Sequence, residues 1–473
     1  MKHRIKPQEV PLPMPRDGNE LETTIRRVLD ACADCDTCRP LMDESCLLFP
    51  ELYRLYDREK AHGRVVSQDE LRRLSELCNL CGLCPCADIR TDVIRSKAAW
   101  VRANGMPLPV RLLADVQRFG RLGALAPRVL NRVLACAPVR RAIKKVAGIH
   151  PQRRLPPLPG ENFFEWARRR GLDQAPGQGP KIAYFAGCTA GYLFPEVARA
   201  AVAVMGHNGI AVFFPPQQCC GMPTLLEGDD ETTFRRVRAN LETLLERVQA
   251  GFEIVCSCPT CGYLMKVLLR ERAFYAEAYQ RAVGAGADEI KVPNASAPGD
   301  GFVRLKKSMY RKILSDDGYF AALDPLKRIA LAEKVFDLGE YLERLDHQKR
   351  LNTDFDELKG RMVYYAPCHQ REQGIGSPYE ALLARIPGLA VVRVGGAMDC
   401  CGMGGSLGYK ESFHEKSIAL GRPLMEKIQA AAPEAIVTDC LSCRLQFQQL
   451  LAHPVHHPLE ILARAYKAAN SDG

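Results

Sequence analysis

Residues 181–188 read KIAYFAGC, an apolar run of strand length that delivers Cys188, and the chain goes on to Cys219-Cys220-Gly221 and then Cys258-Pro259-Thr260-Cys261. The order returns from residue 361, RMVYYAPC, with Cys368, then Cys400-Cys401-Gly402, then Cys440-Leu441-Ser442-Cys443. The gaps agree to one residue, 31 against 32 up to the cysteine pair and 38 against 39 beyond it. A spacing kept twice marks a duplicated site, and ten thiols in that pattern point to metal ligation.

Each set of cysteines follows short apolar runs alternating with helical stretches, the texture of a layered α/β core. Strands are expected at Ile182–Ala186, Ala211–Phe214 and Glu253–Val255 in the first copy, with a helix at Glu196–Met205. In the second they are expected at Met362–Tyr365, Ala390–Val394 and Ala435–Thr438. Ligands placed just past strand ends converge at one edge of each lobe, where open α/β sheets bind their ligands. Residues 270–345 read as a helical extension of the first lobe, with a polar break at 294–299 and no counterpart after the second copy.

Upstream lie two further groups, Cys32, Cys35, Cys38 with Cys46, and Cys78, Cys81, Cys84 with Cys86, beside expected helices at Leu21–Leu29 and Gln68–Leu77. C-x-x-C-x-x-C wraps three thiolates around a four-iron cluster, and in two-cluster ferredoxins the fourth cysteine serves the other cluster. By that logic Cys86 completes Cys32, Cys35 and Cys38, and Cys46 completes Cys78, Cys81 and Cys84. Zinc favours paired C-x-x-C spacing rather than triplets, which argues against it here. Five thiols per downstream copy exceed what one zinc needs, and adjacent cysteines fit two irons of an opened cluster better than one tetrahedral ion. A zinc site in one copy stays open as the alternative.

The chain has 473 residues, 47% hydrophobic, enough for several folded cores. Twenty cysteines grouped in C-x-x-C units within a chain of this size favour metal ligation in a reducing compartment over a secreted disulfide framework. The first residues lack a signal-peptide apolar core, and no run reaches the length of a membrane span, so a cytoplasmic location is expected. The net charge is +10, yet residues 101–154 alone hold twelve Arg or Lys against Asp115. This segment reads as amphipathic helices, with Leu112, Val116 and Phe119 on one face and Val129 and Val133 on another. A basic face beside an apolar one suits a lipid headgroup layer or packing against a partner. Phe119 is the sole aromatic among its basic residues, which argues against nucleic acid.

His369 after Cys368 suits either a hydrogen bond to a cluster sulfur or a structural place at a strand end. Cys136 is expected to be a buried thiol, and Cys256, without a counterpart in the second copy, is left outside the ligand set. Residues 402–408, GMGGSLG, miss the G-x-G-x-x-G spacing by one residue, and no phosphate loop is found elsewhere. Without a flavin or nicotinamide fingerprint, electrons are expected to come from, or leave to, another protein or a small substrate.

These motifs resemble the CCG-domain iron-sulfur proteins, a family that includes heterodisulfide reductase subunits, glycolate oxidase iron-sulfur subunits and C subunits of anaerobic glycerol-3-phosphate dehydrogenase. The resemblance to the last group rests on the paired N-terminal cysteine groups, on Arg154-Leu155-Pro156 with Phe164 and Trp166, and on Ala366-Pro367-Cys368-His369. It rests also on Cys400-Cys401-Gly402 with Gly408, and on Thr438-Asp439-Cys440 with His457-Pro458-Leu459. It implies an α/β protein with an N-terminal helical, ferredoxin-like two-cluster domain followed by two pseudo-repeated CCG lobes. The divisions are a tail 1–24, a ferredoxin-like domain 25–100, a basic helical linker 101–160 and CCG domains 181–350 and 351–473.

The function implied is that of an electron-transfer oxidoreductase subunit, passing electrons from a flavin dehydrogenase partner to a quinone, with peripheral contact at the inner membrane. The full Cys258-x-x-Cys261 of the first copy resembles heterodisulfide reductase catalytic subunits and keeps open a disulfide reductase acting at noncubane clusters. The cofactors implied are two 4Fe-4S clusters in the N-terminal domain and up to two, of the noncubane kind, in the CCG domains. One would take Cys188, Cys219, Cys220, Cys258 and Cys261, the other Cys368, Cys400, Cys401, Cys440 and Cys443.

Overall fold

Four helices of nine residues or more, Glu20–Ala33, Leu48–His62, Gln68–Glu76 and Ala87–Asn104, form the N-terminal unit together with the short helix Cys38–Leu41. The structure, a computed structural model, describes residues 20–33, 35, 37–294, 300–310 and 314–466. Most of the tail expected at 1–24 and most of the polar break at 294–299 lie outside the described residues. Leu29, Leu52, Leu55, Leu74 and Val93 fall at helical spacing and close the apolar centre of this unit. Ser67 starts the helix Gln68–Glu76 with a capping box, accepting from the Glu70 amide while Glu70 accepts from the Ser67 amide.

Two four-stranded parallel sheets follow. Strands β1 (Lys181–Phe185), β2 (Ala211–Phe213) and β3 (Glu253–Cys256) fall where the sequence places them. An antiparallel hairpin comes next, β4 (Glu289–Pro293) with β5 (Phe302–Lys306), and then β6 (Val335–Asp337). The second sheet uses β7 (Gly360–Tyr364), β8 (Leu389–Arg393), β9 (Ala435–Val437) and β10 (Val455–His456). The orders are β2-β1-β3-β6 and β8-β7-β9-β10, one order used twice. β1 and β9 are covered on both faces and read as continuous apolar runs rather than as alternation.

The stretch 270–345 departs from the expected helical extension. It holds the hairpin, and it ends in β6 and the helix Leu338–His347, which complete the first sheet. Its end also has a counterpart, β10 and the helix Pro458–Ala465. Strands of three and two residues carry too few side chains for a period to show.

The two sheets share one apolar core. The helix Pro195–His207 packs against Pro458–Ala465, and Leu338–His347 packs against Pro378–Leu383, so the last helix of each half meets an early helix of the other. Val197, Ala201 and Val204 from the first half join Tyr379, Leu459 and Leu462 from the second. Burial at about 25 cal/mol per Å² makes this apolar contact the main force holding the halves in register.

The basic segment forms four short helices, Leu108–Ala114, Val116–Ala124, Pro127–Ala135 and Ala137–Val146. The continuous face expected through Leu112, Val116 and Phe119 does not form. Asp115 ends one helix and caps the next by accepting from the Arg118 amide, so Val116 packs inward while Phe119 stays exposed. Leu122, Leu125, Val129 and Val146 are more than half exposed, Leu125 to 82%. Cys136, expected to be buried, is exposed at the junction of two helices. No described helix is long and apolar enough to cross a membrane.

Candidate metal centres

None of the twenty cysteines is in a disulfide, and the motif cysteines fall in four sets along the chain. Cys32 ends the first helix, Cys38 opens the short helix Cys38–Leu41, and Cys86 caps the helix Ala87–Asn104. Burial pushes the Cys32 thiol up to about 12, and the nearby thiols of Cys38, Cys86 and Cys35 add to it. Cys46, Cys78, Cys81 and Cys84 line one small pocket with Phe49, Ile89 and Val93. Burial lifts Cys46 to about 11, although the Leu48 amide donates to its sulfur at 3.3 Å.

In the first sheet's domain Cys188 Sγ lies 3.2 Å from Cys219 Sγ. Cys219 is in contact with Cys220, Cys220 with Cys261, and Cys261 with Cys258, which closes a chain of five sulfurs. In the second, Cys401 Sγ lies 3.2 Å from Cys443 Sγ, Cys400 and Cys440 adjoin that pair, and Cys368 faces Cys401 and Cys440. Gly187 leaves the space Cys261 needs, since a Cβ there would stand 2.8 Å from the sulfur. Cys256 points away, its thiol donating to the Phe336 carbonyl at 3.5 Å.

One thiol of each adjacent pair is held well below the ordinary thiol value. For Cys219 the cause is first hydrogen bonding from Cys188 and Cys220, then the Gly221 amide, and last the charge of Arg236. For Cys401 it is first hydrogen bonding from Cys400 and Cys443, then the Met403 amide, and last Arg153. Five sulfurs at such distances, with Arg236 beside the first set and Arg153 and Arg371 beside the second, cannot all ionise without a polycation among them. The donor set and its burial therefore fit an iron-sulfur group.

Several residues without a sequence motif of their own complete these sites. The buried Gln117 accepts from the Cys219 amide at 2.7 Å, and Asp115 pairs with Arg236 at 2.5 Å, so the basic segment braces the first domain. Arg153, 1% exposed, donates to Gln446 Oε1 at 2.6 Å beside the second. Lys97 Nζ donates to the Cys78 carbonyl at 2.7 Å and the Leu226 carbonyl at 3.0 Å. A net charge count hides all of these; an acid or amide isolated within a basic run was the available signal.

Asp337 and Asp439 are buried together between the halves. Burial, with Glu340 nearby, raises Asp337 to about 7, and burial with Asp337 raises Asp439. Asp337 thus holds its proton in the folded chain where the unfolded chain has released it. Its stabilising contribution is complete below its ordinary range, near 4, and is lost as pH rises toward about 7. Asp337→Asn keeps the oxygen that accepts from Gly339 and removes the charge. Urea midpoints measured from pH 5 to 8 are expected to fall more steeply in the wild type than in this variant.

The cysteine-rich domain family, CCG, matches residues 182–266 and 362–448. The C subunit of the anaerobic glycerol-3-phosphate dehydrogenase of Escherichia coli (strain K12) is 23% identical over 376 residues, covering 79% of this chain and 81% of that protein. The B subunit of the fumarate reductase (CoM/CoB) of Methanothermobacter marburgensis is 26% identical over 312 residues, covering 63% of this chain and 49% of that protein. An uncharacterized iron-sulfur protein of Methanococcus maripaludis is 21% identical over 273 residues, covering 57% of this chain and 42% of that protein.

Proposed function

This chain carries two cysteine-rich domains of the CCG family, and from that premise we propose that it is the iron-sulfur electron-transfer subunit of an oxidoreductase. The observation that carries the reading is the set of eighteen motif cysteines, in four groups, mostly buried and none in a disulfide. Cys32, Cys35, Cys38 and Cys86 would hold one four-iron cluster and Cys46, Cys78, Cys81 and Cys84 a second, in a ferredoxin-like domain spanning 25–100. The five cysteines of each domain in 181–350 and 351–473 would hold a noncubane cluster. Clusters at these places would supply one-electron carriage.

The protein's part is to keep the sulfurs dry, spaced and partly countercharged. Gln117 and Lys97 fix the backbone that presents Cys219 and Cys78, while Arg236 and Arg153 favour thiolate at Cys219 and Cys401. The partner is a flavin dehydrogenase, by analogy with the glycerol-3-phosphate dehydrogenase whose C subunit is similar. The acceptor is a quinone. The exposed Leu122, Leu125 and Val129 among arginines support peripheral contact with the cytoplasmic face of a membrane.

Anaerobic purification should yield roughly sixteen irons per chain with matching sulfide. Visible absorption should bleach on reduction and return with a quinone analogue. Zinc with little iron would overturn the reading. Co-sedimentation with anionic vesicles, lost in the Leu122→Glu, Leu125→Glu double variant, checks the membrane face. The complete cysteine set of both domains favours a second reading, a disulfide reductase. Turnover of small disulfides with a reduced artificial donor would select it over the relay.

A further inference from the structure

His369 ties together three cysteine loops that are far apart in sequence. It follows Cys368 in the short helix Cys368–Arg371. Its Nε2 lies 2.8 Å from the Leu80 carbonyl, inside Cys78-x-x-Cys81, and its Nδ1 lies 2.9 Å from Thr260 Oγ1, inside Cys258-x-x-Cys261. A carbonyl only accepts, so Nε2 carries the proton, and in the neutral ring Nδ1 accepts from the Thr260 hydroxyl. The ring stacks on Tyr263 with centroids 4.6 Å apart, and Gln373 Nε2 donates to the carbonyls of His369 at 3.0 Å and Pro259 at 3.1 Å. Leu80 adopts a φ of 55°, uncommon for a leucine, and its carbonyl is the one His369 engages.

The contacts around Cys81 are unequal. A Cβ on Gly82, next to Cys81, would stand 2.5 Å from the Glu372 side chain, and one on Gly404 would stand 2.9 Å from Asn79, so the second domain abuts this group directly. The first domain's Cys258–Cys261 loop reaches the same group through Thr260 and His369.

We propose that His369 is the positioning residue that couples the Cys46, Cys78, Cys81, Cys84 group to the first cysteine-rich domain, so that electrons entering this group reach both domains rather than the second alone. The proposal rests on the electron-transfer reading. Each passage oxidises the N-terminal group by one electron and reduces the first domain by one, and no bond forms or breaks.

Flash photoreduction of the loaded full chain, followed by freeze-quench EPR, measures how fast the first domain's signal grows at the expense of the N-terminal one. His369→Leu is expected to slow that step on the order of tenfold, the usual size of an outer-shell effect, with iron content unchanged. Thr260→Val should slow it less, and Thr260→Ser, which keeps the hydroxyl, should restore it. Wild-type rates in both His369→Leu and Thr260→Val, or equal slowing in Thr260→Ser and Thr260→Val, would overturn the proposal. Should the chain hold no iron-sulfur cluster, the electron-transfer reading fails, and hydrogen exchange of the full chain as purified decides the bridge. His369→Leu should lose protection at 78–84 and 258–263 together, and unchanged protection would sink it.

Discussion

Serine at both Cys219 and Cys220 should lower the iron of the purified chain by about a quarter, since one of the four equal sites proposed above is removed. Both sulfurs are buried, and Cys219 links Cys188, 3.2 Å away, to Cys220, which is in contact with Cys261. Serine hydroxyls do not ionise at neutral pH, so the group would lose two of its five donors. The other three groups draw their cysteines from separate loops and should stay filled. Metal and sulfide analysis beside EPR of the reduced protein checks this. Iron unchanged from wild type would show that the pair binds none, and loss of half or more would show that the domains load together. Because metal binding is folding free energy, a lower unfolding midpoint should accompany the loss.

Gly402→Ala should be far more damaging than Gly221→Ala, although both glycines end the same Cys-Cys-Gly motif. Each takes a positive φ, 80° at Gly402 and 105° at Gly221, which costs a side-chain residue about 1–2 kcal/mol. The surroundings separate them. A Cβ on Gly402 would stand 2.0 Å from the Ser417 carbonyl oxygen and 2.8 Å from the Gly421 amide, both backbone atoms of the helix His414–Ala430. On Gly221 it would meet the methyl groups of Val237 and Thr233 at 3.3 and 3.4 Å, which side-chain motion relieves. Overpacking adds about 1–3 kcal/mol, at the upper end where backbone must move. Gly402→Ala should therefore cost about 3–5 kcal/mol and Gly221→Ala about 1–2 kcal/mol, read from urea unfolding of the two variants. Equal costs would mean that the helix His414–Ala430 yields as readily as two methyl groups.

Six strands of the two sheets were legible because each is an apolar run set directly before a cysteine landmark, as β1 is before Cys188 and β9 before Cys440. β6 and β10 were not, for no cysteine landmark follows them, and such short strands take their form from the neighbour they pair with. The helices of the basic segment were legible as elements, but their faces were not. Asp115 sits at helical spacing between Leu112 and Phe119, and only its backbone, with φ −100° and ψ 63°, reveals a break. Cys136 was placed inside because a lone thiol among leucines and valines usually is, and the helix junction leaves it exposed.

By itself the sequence determined the chemistry, because cysteine identity and spacing are local properties. A C-x-x-C loop presents two sulfurs together wherever it is folded, and a repeated pair marks a repeated site. Which sets meet, and through what, was decided only by the tertiary structure. The reciprocal packing of the helices Pro195–His207 and Pro458–Ala465 sets the two halves in register and leaves Asp337 beside Asp439. The placement of the N-terminal unit brings Leu80 to His369, and the chain's bending back at residue 153 brings an arginine to Cys401. Contacts across 289 residues, as between Leu80 and His369, depend on the sum of many weak apolar contacts, and no local pattern records that sum.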